Sequence, residues 1–327
     1  MYATGNKKML NMLILEILRK YSDENHALTQ QEIIRLLDQN YGMECDRRSV
    51  KNNVLYLKEL GYDISMDKGY RLMEREFDDA ELRILIDSVL FSKSISTRQA
   101  KGLITKIRDL ASNYFNAKVS HVSNLPDLHR TVNKQAMYAL DAINDAVSEH
   151  KKISFIYNQM GTDFKQHPKR EEPYVVNPYQ IVANNGRFYL IANLDKYDNI
   201  AHFRIDRMTE VKMLDEKAKP LKQIPGYENG LNLPKHMAEH IYMFGGASET
   251  IHLKTTAGMM TELVDWFGDD FTITEQKGDN IVVRLTCNTN AMHYWALQYG
   301  AYVEVLKPES LRSQIREDVQ GMMEKYK

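Results

Sequence analysis

Cysteine is almost missing from this chain of 327 residues: Cys45 and Cys287 stand alone, most of the sequence apart. Such a pair supports neither a disulfide framework nor a cysteine-ligated metal cluster, and it suits a reducing compartment. No run of about 18 apolar residues occurs, so no membrane-spanning helix is expected. The apolar stretch from Met9 to Leu18 is interrupted by Asn11 and Glu16, unlike the core of a signal peptide. Charge of one sign is lacking too. Lys and Arg number 43 against 44 Asp and Glu, so no global basic field advertises a polyanion. A Gly-x-Ser-x-Gly elbow, a phosphate-cradling glycine loop and metal-ligand spacing are all absent. These absences point to a cytoplasmic, non-enzymatic protein with no catalytic residue, metal or cofactor. His236 and His240, at i and i+4, come nearest to a metal pair. They lack an evident third ligand and read better as a solvated helix face.

The length suggests two or three domains. Residues Lys7 to Tyr21 carry Leu10, Leu13, Ile14, Ile17 and Leu18 on one stripe, as an amphipathic helix does. Thr29 with Glu32 makes a capping box for a second helix that Asn40-Tyr41-Gly42 ends. Asp46 caps a third, roughly Arg47 to Leu60, which Gly61 stops. Tyr62 to Met66 and Gly69 to Leu72 read as two short strands about Asp67-Lys68-Gly69. This order is that of a winged helix-turn-helix. At 100° per residue Val50, Val54 and Leu57 face inward, while Arg48, Lys51 and Asn52 face out with Arg47 at the margin. Those cations and that amide, with Lys68 and Arg71 on the wing, are groups that pair with phosphates and base edges of duplex DNA. An ordinary solvated helix face is the bland alternative. Residues 1–76 hold 12 basic and 12 acidic residues, so any binding surface must be local and salt-sensitive.

Helices are expected over Asp78 to Phe91, Thr97 to Phe115 and Asn133 to His150, with a loop from His121 to Asp127. They read as a spacer. Ile153 to Tyr157 is a strand, and Gly161 to Arg170 a polar loop. From Asn177 the pattern sharpens. Asn184-Asn185-Gly186 separates two apolar-aromatic runs, which is a strong hairpin signal. Asp198-Asn199 marks a second turn, so three antiparallel strands follow one another. Alternation puts Phe188, Leu190 and Ala192 on one face and Arg187, Tyr189 and Ile191 on the other. On the third strand His202, Arg204 and Asp206 share a face. A face carrying Tyr, His and Arg suits a polyanion. Asp206 between Arg204 and Arg207 also fits a structural ion pair, and His202 a plain surface histidine.

Lys219 to Lys235, with three prolines, Gly226 and Gly230, reads as a linker, and His236 to Met243 as a short helix. From Glu249 the elements run strand, helix, hairpin, helix, strand, which is the βαββαβ order of a ferredoxin-like domain. A last helix, Pro308 to Tyr326, repeats Leu311, Ile315, Val319, Met322 and Met323. Its apolar surface suggests either a dimer contact or a cover for its own sheet.

The central sheet resembles the WYL domain. That family's name tripeptide stands here as Phe188-Tyr189-Leu190, with Phe in place of Trp, and its later Phe-Arg-hydrophobic-Asp-Arg motif is intact as Phe203-Arg204-Ile205-Asp206-Arg207. Asn177-Pro178-Tyr179 lies upstream. Trp295-Ala296-Leu297-Gln298-Tyr299-Gly300 and Val303-Glu304-Val305-Leu306-Lys307-Pro308 resemble the C-terminal extension that accompanies WYL domains. The resemblance implies an α+β chain in five parts. These are a winged helix-turn-helix head at 1–76, a helical spacer at 77–150, and a small barrel-like WYL sensor sheet at 151–219. A linker at 220–248 and a ferredoxin-like extension at 249–327 complete it. It further implies a dimeric transcriptional regulator that binds a double-stranded operator and senses a ligand, for several members thought to be nucleic acid. The ligand residues expected are Tyr189, His202, Arg204 and Arg207, with Tyr157 added because the family tends to keep a Tyr there. An accessory protein of another enzyme system and a small-molecule-responsive regulator remain alternatives.

Overall fold

The computed structural model describes residues 7–119, 130–131 and 133–327. The expected loop from His121 to Asp127 lies outside the described residues. The chain divides into two compact units, Met1–Val132 and Asn133–Lys327.

The first unit opens with helices α1 (Leu10–Tyr21), α2 (Gln30–Tyr41) and α3 (Arg47–Glu59), then strands β1 (Ile64–Ser65) and β2 (Arg71–Leu72). Thr29 and Glu32 form the capping box reciprocally, and Gly42 at φ 63° closes α2 in the left-handed conformation that a residue without Cβ takes most easily. The Asp46 side chain accepts from the Ser49 N–H and so fixes where α3 begins. Ile14, Ile17, Leu18, Ile33, Leu37, Val50 and Val54 are fully enclosed between these elements. Burial of each such side chain contributes about 1.5–3 kcal/mol, which is what sets three short helices in place. Leu28 bridges to Tyr70, adding a third strand segment to the hairpin. The strands are shorter than expected, but the order of three helices and a hairpin is the one the sequence announces.

Three further helices follow, α4 (Asp79–Phe91), α5 (Thr97–Arg108) and α6 (Asn113–Lys118), around Leu82, Ile86, Ile104 and Phe115. A single helix over 97–115 was expected. The chain breaks it because the Ser112 hydroxyl accepts from the Phe115 N–H and starts a new helix.

In the second unit α7 (Ala136–Ser148) buries Ala139, Ile143 and Ala146 against a curled sheet. It was expected in the spacer; its small-residue stripe instead makes it part of the sheet's core. That sheet comprises β3 (Lys151–Met160), β4 (Gln166–Pro168), β5 (Tyr174–Asn184), β6 (Arg187–Asn193), β7 (Ile200–Arg204) and β8 (Met208–Lys217). Its order is β4-β3-β5-β6-β7, and β8 pairs with β3. β4 occupies part of the stretch expected as loop. β5 pairs with β3 up to Val176 and with β6 from Asn177 on, and the ladder with β6 shifts register between Pro178 and Gln180. Proline fits such a bulge because it has no N–H to offer a ladder. Asn185 and Gly186, at φ 49° and 73°, form the tight turn that their sequence announces.

After a short helix, α8 (Leu233–Glu239), come β9 (Ser248–Thr256), α9 (Met260–Phe267), β10 (Phe271–Lys277), β11 (Asn280–Asn288), α10 (Thr289–Gln298), β12 (Glu304–Lys307) and α11 (Glu309–Lys325). The antiparallel order β10-β11-β9-β12 is the ferredoxin-like arrangement. Trp295, Phe267, Leu253 and Val283 fill its core. Leu311 and Ile315 on α11 join that core, whereas Val319, Met322 and Met323 further along are exposed.

Candidate functional site

On the head, α3 turns Val50, Val54 and Leu57 inward and leaves Arg47, Arg48, Lys51 and Asn52 exposed. None of these four side chains makes a hydrogen bond or ion pair within the described residues. Leu55 and Tyr56 are exposed on the same helix. Lys68 sits at the hairpin tip at φ 51°. Arg71 is held back, with Nη2 donating to the Asp67 carbonyl at 3.2 Å.

On the sheet, cross-strand pairing sets Tyr189 opposite Arg204 and Ile191 opposite His202, so the alternation read from sequence holds along β6 and β7. It fails just beyond. Ile205–Arg207 forms a 3-10 turn, and that turn buries Asp206 instead of leaving it on the face. Arg204 grips the Asp206 carboxylate with Nε at 3.0 Å and Nη2 at 2.7 Å. Arg187 adds Nη1 at 3.0 Å. Sequence reasoning placed Arg187 on the right face but did not count it as a site residue. Its position immediately after the Asn-Gly turn, two residues from Tyr189, was the available signal. Burial lowers the Arg187 pKa, with the neighbouring charge of Arg204 adding to it. For Arg204 burial acts the same way, but hydrogen bonds and charge from Asp206 prevail and the pKa is raised. Arg207 is half-buried on the turn, and its guanidinium has no hydrogen bond or ion pair within the described residues. Two guanidiniums therefore share one carboxylate, and Arg207 follows that acid on the same turn. Only two of Arg204's nitrogens and one of Arg187's are engaged with it, which leaves N–H donors of both free.

Tyr157 is not on this face. Its ring meets Phe155, Tyr174 and Phe203 edge-on in the core beneath α7, and its hydroxyl accepts from the Arg204 backbone N–H at 3.2 Å. Burial raises its pKa.

His202 is not a plain surface histidine. Its Nε2 lies 2.8 Å from His236 Nε2, and its ring packs against His240 as well. The hydroxyl of Tyr227 meets His236 Nδ1 at 3.1 Å, and His240 Nδ1 donates to the Phe244 carbonyl at 3.0 Å. Burial, with the other two rings close by, holds the His202 pKa down at about 3. Burial and then His240 bring His236 to about 4, and burial lowers His240. The solvated reading of His236 and His240 thus fails: both are almost fully enclosed. Among the described residues no group of three His, Cys, Asp or Glu is arranged to hold a metal ion.

The stretch expected as linker is what encloses them. Ile224, Tyr227, Met237 and Met243 pack over Val182, Tyr189, Ile191 and Ile200. Part of the face expected to be open is therefore covered, while Arg187 and Arg204 stay partly exposed.

Comparison with known proteins agrees with this architecture. The WYL domain matches residues 138–213 and the WCX domain residues 247–323, in that order. The curled sheet with α7 is thus a WYL domain, and the ferredoxin-like domain after it a WCX domain. The chain thus carries a WYL domain followed by a WCX domain. No curated protein matches it. Among solved structures it is similar to proteasome accessory factor B/C (PafBC) of Arthrobacter aurescens, at 14% identity and a TM-score of 0.32, covering 98% of this chain and 49% of that one. The chain thus spans about half the length of that relative. It is also similar to a CRISPR Cas-related protein, at 14% identity and a TM-score of 0.41, over 77% of this chain and 75% of that one. No helix among the described residues is long and apolar enough to cross a membrane.

Proposed function

We propose that the protein is a DNA-binding transcriptional regulator whose WYL sheet binds a phosphate-bearing ligand, most simply single-stranded nucleic acid. The observation that carries this is the pairing of Arg187 and Arg204 on a single carboxylate beside Tyr189, with Arg207 on the same turn as that acid. Three positive charges against one leave this stretch cationic. Guanidinium forks match phosphate oxygens, and the tyrosine offers a ring to a base or sugar. On the head, Arg47, Arg48, Lys51 and Asn52 form the reading face of α3, with Lys68 and Arg71 behind it on the wing. In this reading the domains run as a head at 1–76, a spacer that ends before α7, the WYL sheet, its cover and the WCX domain.

Arg207 gives the cleanest test, since its guanidinium makes no hydrogen bond or ion pair among the described residues. Arg207→Ala should melt like the parent chain and bind a fluorescein-labelled oligothymidylate more weakly. The slope of log affinity against log salt should become shallower by about 0.7, the share of one phosphate that no guanidinium neutralises any longer. Equal binding by the variant and the parent would overturn this site.

A dimer fits the same reading, because two heads could then address a two-fold operator. The exposed Val319, Met322 and Met323 on the outer half of α11 support that contact. Met322→Glu with Val319→Glu should shift light scattering from dimer to monomer while Leu311 and Ile315 keep the helix on its own sheet. A dimer that survives both charges uses another surface.

A further inference from the structure

Segment 220–243 has the composition of a linker and the packing of a core. Its apolar side chains, Ile224, Met237 and Met243 among them, complete a cluster with Val182, Ile191 and Ile200 on the outer face of the WYL sheet. The Asn184 amide donates to the Ile241 carbonyl at 3.3 Å. Beyond these the clasp is three histidines, one from β7 and two from α8 and its C-terminal cap.

The bond between His202 and His236 joins one ring nitrogen to another at 2.8 Å. Such a bond holds a single proton. With both rings protonated, two N–H groups and two positive charges would oppose each other, and the pairing would break. His202 Nδ1 is buried with no hydrogen-bond partner, so no acceptor waits there for an added proton. The groups around the clasp offer little relief. Tyr227 contributes a hydroxyl whose pKa is pushed up to about 12, first by burial and then by Glu239. From Phe244 comes one carbonyl. Glu239 and Lys235 on α8, paired at 3.9 Å, and Asp198 line a cavity of about 690 Å³ alongside His236 and His240. None of these three charged side chains forms an ion pair with a clasp imidazole.

We propose that segment 220–243 is a proton-sensitive cover of the WYL sheet. It is closed while His202, His236 and His240 are neutral, and it is displaced when they take up protons, exposing Tyr189 and His202 to the ligand held by Arg187, Arg204 and Arg207. The regulatory half of this inference rests on the ligand site proposed above; the cover itself does not.

The sign follows from the depressed pKa values. Closed, His202 and His236 stay neutral well below pH 6.5 and His240 is lowered in the same direction; open, all three protonate near it. Closure is therefore fully favoured above about pH 6.5 and weakens as pH falls. The opening equilibrium gains about tenfold per histidine per pH unit, up to about 1000-fold for three.

Hydrogen exchange of the full-length chain between pH 7.5 and 5.5, corrected for the intrinsic pH dependence of exchange, tests the cover. Opening of 220–243 should rise with a logarithmic slope approaching three below pH 6.5. In a chain with His236→Gln and His240→Gln the slope should fall to about one. A segment that ignores pH, or a double variant that responds like the parent, overturns the proposal. The regulatory half is tested by titrating labelled oligothymidylate at both pH values, because neither its base nor its diester titrates between them. Tighter binding at pH 5.5 is expected. Equal binding at both, with the cover open, overturns the gating. An open cover with no binding at either pH overturns the ligand site instead and leaves the cover standing.

Discussion

The arginines of α3 and those of the WYL sheet are one side chain in two settings. Arg47 and Arg48 project from a helix whose other face makes the core, and within the described residues they touch no acid. Arg187 and Arg204 converge on a carboxylate that is 3% exposed. The first pair makes no hydrogen bond or ion pair among the described residues and stands exposed. The second pair is divided between holding a turn and presenting free N–H groups. The exposure of a charged residue on a helix face can thus be read from periodicity alone. That of one beside a strand end cannot, because the neighbour that matters is set by a turn.

The largest effect should come from the acid that ties the sheet arginines. Asp206→Ala leaves two guanidiniums, 26% and 21% exposed, facing each other without a counter-charge. Breaking such a pair should cost about 2–4 kcal/mol, at the low end for buried pairs because water still reaches both arginines. Urea denaturation of the second unit's signals would show it. A loss below about 0.5 kcal/mol, the range of ordinary surface changes, would erase the distinction between the two settings.

Within the sheet the three arginines should then separate. Arg204 grips Asp206 with two nitrogens and Arg187 with one, while Arg207 does not touch it. Losing a charged hydrogen bond costs about 1.5–3 kcal/mol at most, so Arg204→Ala should destabilise more than Arg187→Ala, and Arg207→Ala hardly at all. Thermal melts of the three variants give the order. A reversed order would mean that the Asp206 fork is not what fixes the turn.

How much of this could be read from the chain alone depends on what fixes each element. Capping residues and turns are local chemistry, so Thr29, Asp46 and Asn185-Gly186 announced their elements correctly. The alternation along β6 and β7 was equally visible, because a strand has a period of two. Asp206 was misplaced because a 3-10 turn has no such period. The segment over the outer face was missed for a related reason. Leu221, Ile224, Tyr227 and Leu233 recur with no helical or strand spacing, so prolines and glycines dominated the reading. The three-histidine clasp was out of reach, since His202 lies 34 residues from His236 and no local pattern links them. Placing α7 in a spacer followed from judging its helix alone. Ala139, Ile143 and Ala146 make a stripe, but only the sheet shows what that stripe covers.

The smallest effect on stability should appear on the head, and it is the one that sharpens the comparison most. Arg48→Ala with Lys51→Ala removes two exposed cations that no acid in the described residues holds. Surface changes of this kind stay within about 0.5 kcal/mol, so the melting curve should not move. Duplex binding should change nonetheless. With 12 basic and 12 acidic residues in 1–76, long-range attraction cannot compensate for two cations missing from α3. Each phosphate left without its cation should flatten the slope of log affinity against log salt by about 0.9, so the pair should flatten it by nearly two. A side chain that reads a base edge would instead cost about 1–3 kcal/mol with the slope retained, and its removal would relax sequence preference at one position. The duplex would come from selection out of a random pool with the parent chain, and titrations at several salt concentrations separate the two modes. Affinity, slope and preference all unchanged would mean that the exposed face of α3 is only solvated, and that the head meets DNA, if it does, through another surface.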